Sequence, residues 1–246
     1  MNIEAVTVCV DYSDFLAHTL PLNKPHVNRL VVVTAPHDRA TQRLAAHHNV
    51  HCVVTEAFYR GGDRFNKGRG INAGLMALGK RDWLLHLDAD IVLPPQTRQF
   101  LERAQLDPAA IYGIDRTMCA DFNAWTRYQR APIPHYENEV FLNWAPFPTG
   151  TRIAKLDAGG YVPIGFFQLW HSNSGRLKYP EHHSTAARSD MLFALQWPRS
   201  QRLLLPEIMG IHLASDAGRG MGANWNGRQT PEFGPESQDA QRLRYE

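Results

Sequence analysis

Four short apolar runs alternate with helix-forming stretches through residues 5–93, and no other feature of the chain narrows its fold as much. Ala5–Val10 reads as a strand, and Ser13 to Leu20 as a short helix with a hydroxyl or carboxylate cap. Arg29–Thr34 is almost continuously apolar, the pattern of a strand covered on both faces. Asp38 can cap a helix running to about His48, with Ala40, Leu44 and Ala45 on one side. Val50–Thr55 is a third strand, Lys67 to Leu78 a helix stopped by Gly79, and Trp83–Leu87 a fourth strand ending at Asp88-Ala89-Asp90. Strands separated by helices imply an α/β fold with a parallel sheet, right-handed crossovers and both faces covered. Ligands then bind at the carboxyl ends of the strands.

The pattern loosens beyond residue 94. Gln96–Ala104 and Asp121–Gln129 look helical and Ala110–Ile114 looks like a strand. Residues 131–160 give no assignment. Tyr161–Trp170 reads as a strand broken at Gly165, and a helix opens at Ser184 or Ser189 and runs through Gln196. Arg202–Leu205 and Ile208–Leu213 read as two short strands, and residues 214–246 as a glycine-rich flexible segment. A single domain is expected, with residues 1–94 as a ligand-binding half and 95–213 as its second half. The 246 residues, 43% of them hydrophobic, suffice for a sizeable core. Twenty-six basic against 24 acidic side chains is too even for a dedicated nucleic-acid binder. No apolar run approaches a membrane span, and no basic-then-apolar leader opens the sequence. Cys9, Cys52 and Cys119, odd in number and widely spaced, fit buried thiols in a reducing cytoplasm better than a disulfide framework or a zinc site.

Two patterns carry chemistry. In L-H-L-D-A-D-I-V-L-P, residues 85–94, two carboxylates end an apolar strand. Where the chain turns, both can reach one site, and their repulsion calls for a hard cation such as Mg²⁺ or Mn²⁺. The plain alternative is an acidic turn capping the next element. In F-N-K-G-R-G-I-N-A-G-L, residues 65–75, glycines permit close backbone approach, and Lys67 and Arg69 add positive charge near a helix start. It is neither a Walker loop nor a dinucleotide fingerprint. A glycine-packed helix explains it as well as a phosphate contact does.

Taken together, V-C-V-D-Y (8–12), N-K-G-R-G-I-N-A-G (66–74) and H-L-D-A-D (86–90) resemble the family two glycosyltransferases in order and spacing. The resemblance is close over about the first 95 residues and loose thereafter. It implies a GT-A-type, Rossmann-like fold: a mixed, mostly parallel sheet flanked by helices. It also implies transfer of a sugar from a nucleotide-diphosphate sugar, a UDP-sugar foremost, to an acceptor hydroxyl. Asp11 and Tyr12 would lie along the nucleoside, and Asp88 near the ribose or sugar. Asp90 would hold the Mn²⁺ or Mg²⁺ on the diphosphate, while Lys67 and Asn72 would shape the floor of the donor pocket. The second strand ends T-A-P-H-D instead of in the family's acidic pair, leaving Asp38 either to contact the base or only to cap its helix.

In the second half, S-D-M-L-F-A (189–194) resembles the segment in which inverting members place their catalytic base, here Asp190. An ionised carboxylate within reach of the acceptor hydroxyl meets that need, and a helix start would help keep it ionised. His212, in G-I-H-L (210–213), matches a histidine that completes the metal shell in related GT-A enzymes. Phe166, Trp170 and Trp225 are candidate sugar-facing aromatics, with core packing the plain reading of Phe166. Arg219 and Arg228 are candidates to fold over the diphosphate. The acceptor class stays open between a glycan, a small molecule, a protein and modified DNA, and oligomeric state is unreadable. The rival functions are a nucleotidyltransferase and a non-catalytic carbohydrate- or nucleic-acid-binding module. Against the first, V-D-Y-S-D has no glycine-rich loop after the first strand; against the second, Asp88, Asp90, Asp190 and His212 are all present.

Overall fold

The computed structural model describes residues 1–119, 122–130, 160–183, 186 and 188–213. Its centre is one sheet in the order β3-β2-β1-β4-β7-β6-β8-β5. The strands are β1 (Ile3–Val8), β2 (Arg29–Thr34), β3 (His51–Val54), β4 (Trp83–Leu87), β5 (Ile91–Val92), β6 (Ile111–Cys119), β7 (Phe167–His171) and β8 (Arg202–Leu213). Strands β3, β2, β1 and β4 are mutually parallel, as is the pair β6 and β8, whereas β7 runs antiparallel between β4 and β6. This is the mixed, mostly parallel sheet that the resemblance implies; the alternation of elements by itself accounts for the parallel β3-β2-β1-β4 half. Every residue of β1 and β4 is buried, and β2 is buried from its second residue onward. Helices therefore cover both faces of this half.

The helices are α1 (Ser13–Asn23), α2 (Arg39–His47), α3 (Lys67–Met76), α4 (Thr97–Arg103), α5 (Phe122–Arg130) and α6 (Ser189–Ala194). Helix α3 sits tightly on the sheet because it carries glycines: a Cβ on Gly74 would come within 2.5 Å of Val6 and 2.7 Å of Val33. Packing of this closeness brings the start of α3, and with it Lys67, over the carboxyl end of β4. No helix among the described residues is long and apolar enough to cross a membrane.

Three expectations need correction. Of the run Tyr161–Trp170 only residues 167–170 are strand, and β7 continues to His171: Pro163 lacks an N–H, and Gly165 and Phe166 form a turn. Helix α6 opens at Ser189 and stops at Ala194, short of Gln196. The two predicted short strands are one, β8. Leu205 pairs with Ile114 and Met209 with Asp115, so Pro206, Glu207 and Ile208 are accommodated as an irregularity within the ladder. Residues 214–246, including the expected flexible segment with Arg219, Trp225 and Arg228, lie outside the described residues.

Candidate active site

The site forms where β4 ends. Asp88 N–H donates to the Phe166 carbonyl, and Ile91 N–H closes a turn onto the Asp88 carbonyl. Helix α1 fixes this turn from below. The Thr19 hydroxyl donates to the Ala89 carbonyl (2.6 Å), and Asn23 clasps β5 through the Ile91 carbonyl (2.6 Å) and the Leu93 N–H (2.9 Å). Both side chains are buried. Each such bond is worth about 1 kcal/mol net, but leaving its buried partner unmet costs more, so the turn is held in one conformation.

Within the turn the two carboxylates diverge. Asp88 Oδ1 accepts from Lys67 Nζ at 2.5 Å, while Asp90 Oδ2 lies 3.0 Å from His212 Nε2. His212 is brought there by the pairing of β5 with β8, in which it faces Ile91. Burial raises the Asp88 carboxyl above the ordinary range, helped by Asp90 and opposed by Lys67. Burial would raise Asp90 too, but His212, Lys67 and Arg116 outweigh it and hold it below that range. Asp90 therefore gives up its proton more readily than Asp88 does. Burial alone would lower Lys67, yet Asp88, Asp190 and Asp90 together keep its ammonium above its usual value.

Asp190, on α6, belongs to the same electrostatic cluster: its charge is felt by Lys67, Asp88 and Arg116. Its Oδ2 accepts from the Gly165 N–H at 2.6 Å. The sequence held no sign of Arg116, which lies in the interior of β6, on the other side of the sheet order. Its guanidinium stacks 4.4 Å from the centre of the Phe166 ring and feels all three carboxylates, although burial lowers its proton affinity. The cluster therefore joins Lys67 and Arg116 to Asp88, Asp90 and Asp190.

The nucleoside-side candidates stand at the ends of β1 and β2. Asp11 adopts a left-handed backbone (φ 53°), and its carboxylate meets His37 Nε2 at 3.0 Å. Burial raises its affinity for a proton and His37 opposes that. Tyr12 packs on Phe15, with ring centres 4.3 Å apart. Asp38 caps α2: Oδ1 accepts from Thr41 N–H, and Oδ2 from Asp11 N–H and the Thr34 hydroxyl. With 4% of its surface exposed, it braces Asp11 from behind. Asn72 likewise spends its amide on the Tyr179 backbone and on Glu181. Trp170, expected on a sugar-facing surface, is wholly enclosed between Tyr179 and Phe193. Its strand lies between two others and is covered on both faces, so it touches no ligand.

Asp90 and His212 fit a divalent cation. The ligands are one carboxylate and one imidazole, and Asp90 Oδ1 and His212 Nδ1 are buried with no hydrogen-bond partner among the described residues. Their 3.0 Å separation suits a hydrogen bond. It also equals the edge between neighbouring octahedral ligands at about 2.1 Å from an ion, which is about 3.0 Å. No group of three or more His, Cys, Asp or Glu able to hold an ion occurs among the described residues. Substrate oxygens and water would have to fill the remaining positions, as in metal sites that bind phosphates.

His86 lies beneath Asp88, fully buried, with its Nε2 3.5 Å from Asp88 Oδ1. Burial and the Lys67 charge hold it well below its ordinary range, so it is neutral. An unfolded histidine takes up a proton near pH 6.5. The unfolded state thus binds more protons below that pH, and stability falls on acidification by up to about 1.4 kcal/mol per pH unit until the folded pKa is reached. Replacing His86 by Leu is expected to flatten that decline between pH 6.5 and 5 in urea titrations. Parallel declines in the two proteins would show that His86 is not its source.

No protein-family model matches the chain, and no curated protein matches it. Solved structures do. Glucosyl-3-phosphoglycerate synthase from Mycobacterium tuberculosis, in complex with Mn²⁺, UDP-glucose and phosphoglyceric acid, aligns over 82% of this chain and 68% of its own, with 10% identity and a TM-score of 0.50. Its complex with phosphoglyceric acid aligns over 82% and 69%, with 11% identity and a TM-score of 0.49. The fold is of the GT-A type. In the UDP complex of the same enzyme the alignment covers 47% of this chain, which spans 44% of that one (15% identity, TM-score 0.37).

Proposed function

We propose that the protein is a metal-dependent glycosyltransferase that takes a sugar from a UDP-sugar and passes it to an acceptor hydroxyl. The observation that carries this reading is the Asp90–His212 pair at the end of β4, with one Asp90 oxygen unpartnered among the described residues and the largely desolvated Lys67 nearby. A strand end of this kind is where open α/β sheets bind ligands. The motif resemblance and the Mn²⁺ and UDP-glucose bound by the fold relative support the same donor and cofactor. Mn²⁺ or Mg²⁺ on Asp90 and His212 would supply charge neutralisation for the departing diphosphate.

The chain's own residues would do the rest. Asp11 and Tyr12 border the nucleoside, with Asp38 acting through Asp11. Lys67 and Asp88 form the donor floor, with Asn72 bracing it from beneath. Arg116, laid on Phe166, gives the cavity a second fixed cation. Asp190 accepts the acceptor proton on Oδ1, the oxygen that Gly165 leaves, and a single displacement with inversion follows. General-base assistance of this kind contributes roughly a hundred- to ten-thousand-fold in rate. Arg228 and Trp225 are assigned by resemblance alone.

A thermal-shift panel of nucleotide sugars, each with and without Mn²⁺, tests the reading. A large shift is expected for a UDP-sugar, and only with metal, because a ligand at 100 times its Kd stabilises by about 2.7 kcal/mol. No shift with any donor plus Mn²⁺ would defeat it. Release of pyrophosphate from a sugar phosphate and a nucleoside triphosphate would replace it with nucleotidyl transfer.

A further inference from the structure

Resting on the proposed transfer reaction, the geometry points to Gln168 as a positioning residue: its buried carboxamide ties the Gly165 turn to the backbone of Asp190 and so sets where that carboxylate meets the acceptor hydroxyl. Gln168 lies on β7 directly across from His86 on β4, and none of its surface is exposed. Its Nε2 donates one hydrogen to the Pro163 carbonyl and one to the Asp190 carbonyl, both at 2.9 Å. Its Oε1 accepts from the Tyr179 hydroxyl at 2.6 Å. Both amide hydrogens go to carbonyls, so the carboxamide has a single orientation, and the Tyr179 hydroxyl must donate.

The two segments that Gln168 joins are those that make the short contact between Gly165 N–H and Asp190 Oδ2. That contact leaves no slack. A Cβ on Gly165 would lie 2.7 Å from Asp190 Oδ2 and 2.9 Å from its Cβ. The chain of bonds continues away from the base. Tyr179 stacks on Phe193 of α6, with ring centres 3.9 Å apart, and Asn72 of α3 holds the Tyr179 backbone at both N–H and carbonyl. Helix α3, which carries Lys67, and helix α6, which carries Asp190, therefore share one buried polar connection. Without Gln168 the Pro163 and Asp190 carbonyls each lose a donor and the Gly165 turn can move relative to α6. A shift of about 1 Å in a reacting group can cost about a hundredfold in rate.

The test uses Gln168→Met, which keeps the side-chain length, and Tyr179→Phe, which keeps the ring stack in case the first variant does not fold. Turnover should fall roughly ten- to a hundredfold in Gln168→Met and several-fold in Tyr179→Phe. UDP affinity in the presence of Mn²⁺, measured by calorimetry, should change less than about twofold, since no donor contact is touched. In an Asp190→Asn background, adding either substitution should have almost no further effect, because the route through Asp190 is already cut. Multiplying effects in the double variants, or wild-type turnover in both single variants, overturns the inference. The Gly165 amide proton gives a readout free of turnover: strongly downfield in wild type, it should move upfield in Gln168→Met. An unmoved Gly165 resonance overturns the clamp whether or not sugar is transferred. Absence of transfer by the wild-type protein, by contrast, overturns the reaction on which the inference rests.

Discussion

Asp90→Asn is expected to abolish metal-dependent transfer, lowering the rate by about a thousandfold or more while leaving the protein folded. The magnitude follows from the several kcal/mol that a bound metal contributes to leaving-group stabilisation, at about 1.4 kcal/mol per factor of ten. Asparagine has the same shape and can keep a hydrogen bond to His212, but it offers no anionic oxygen to a hard cation. Folding stability should survive for an electrostatic reason. Asp90 pushes the Asp88 carboxyl up, so removing its charge relieves one repulsion even as it loses the attraction of His212, Lys67 and Arg116. Held low in the folded state, the Asp90 pKa gives stability that is present above its unfolded value, near pH 3.9, and is lost as the pH falls through the folded value. Asp90→Asn should lose that contribution at pH 7, offset in part by the relief of Asp88, and with it the decline on strong acidification. Melting curves with and without Mn²⁺ and UDP, beside transfer rates, separate the two effects. Near-wild-type transfer with Mn²⁺ present would exclude Asp90 as the metal residue.

The half of the site on β1, β4 and α3 was legible in the sequence because its signals are local. Apolar runs of strand length mark β1, β2 and β4; Asp38 announces its helix; Gly74 of α3 sits where the helix meets Val6 and Val33. The other half depends on pairings between distant segments. Arg116 looks like an ordinary strand charge until β6 packs between β7 and β8 and turns it toward the three carboxylates. Trp170 shows the reverse failure. Its aromatic and amide neighbours suggest a sugar surface, but an antiparallel strand inserted at the middle of the sheet has two buried faces, and Gln168 serves as a clamp beside it. Pro206 reads as a strand breaker, yet an irregularity opposite Ile114 and Asp115 absorbs it and lets β8 run on to His212. Asp88 and Asp90 resemble a shared cation site in sequence. The turn after β4 parts them, giving one to Lys67 and the other to His212.

That division makes Lys67 the second residue whose loss should matter most. Its side chain is 17% exposed and the Asp88 carboxylate beside it 25%, so the pair is largely desolvated. Replacing Lys67 by Met leaves the Asp88 charge buried beside Asp90 and Asp190 with its bonded partner gone. Breaking one side of a buried pair costs about 3–5 kcal/mol, and a fall of that size should appear in urea or thermal unfolding at pH 7. The loss should shrink on acidification. Without the ammonium, burial and Asp90 raise the Asp88 carboxyl further, so the folded state takes up a proton at a higher pH than the unfolded chain does. A group raised in this way is most favourable below its unfolded pKa and loses that advantage as the pH rises through the folded one. His86 adds to the trend, since Lys67 is one of the two influences holding its proton affinity down. The stability optimum of Lys67→Met should therefore move to lower pH than that of the wild type. Mn²⁺ should also raise its melting temperature more than it raises that of the wild-type protein, because the three carboxylates have lost a resident cation. If instead the variant melted like the wild type at pH 7 and responded no more to Mn²⁺, Lys67 could not be the charge that balances the end of β4.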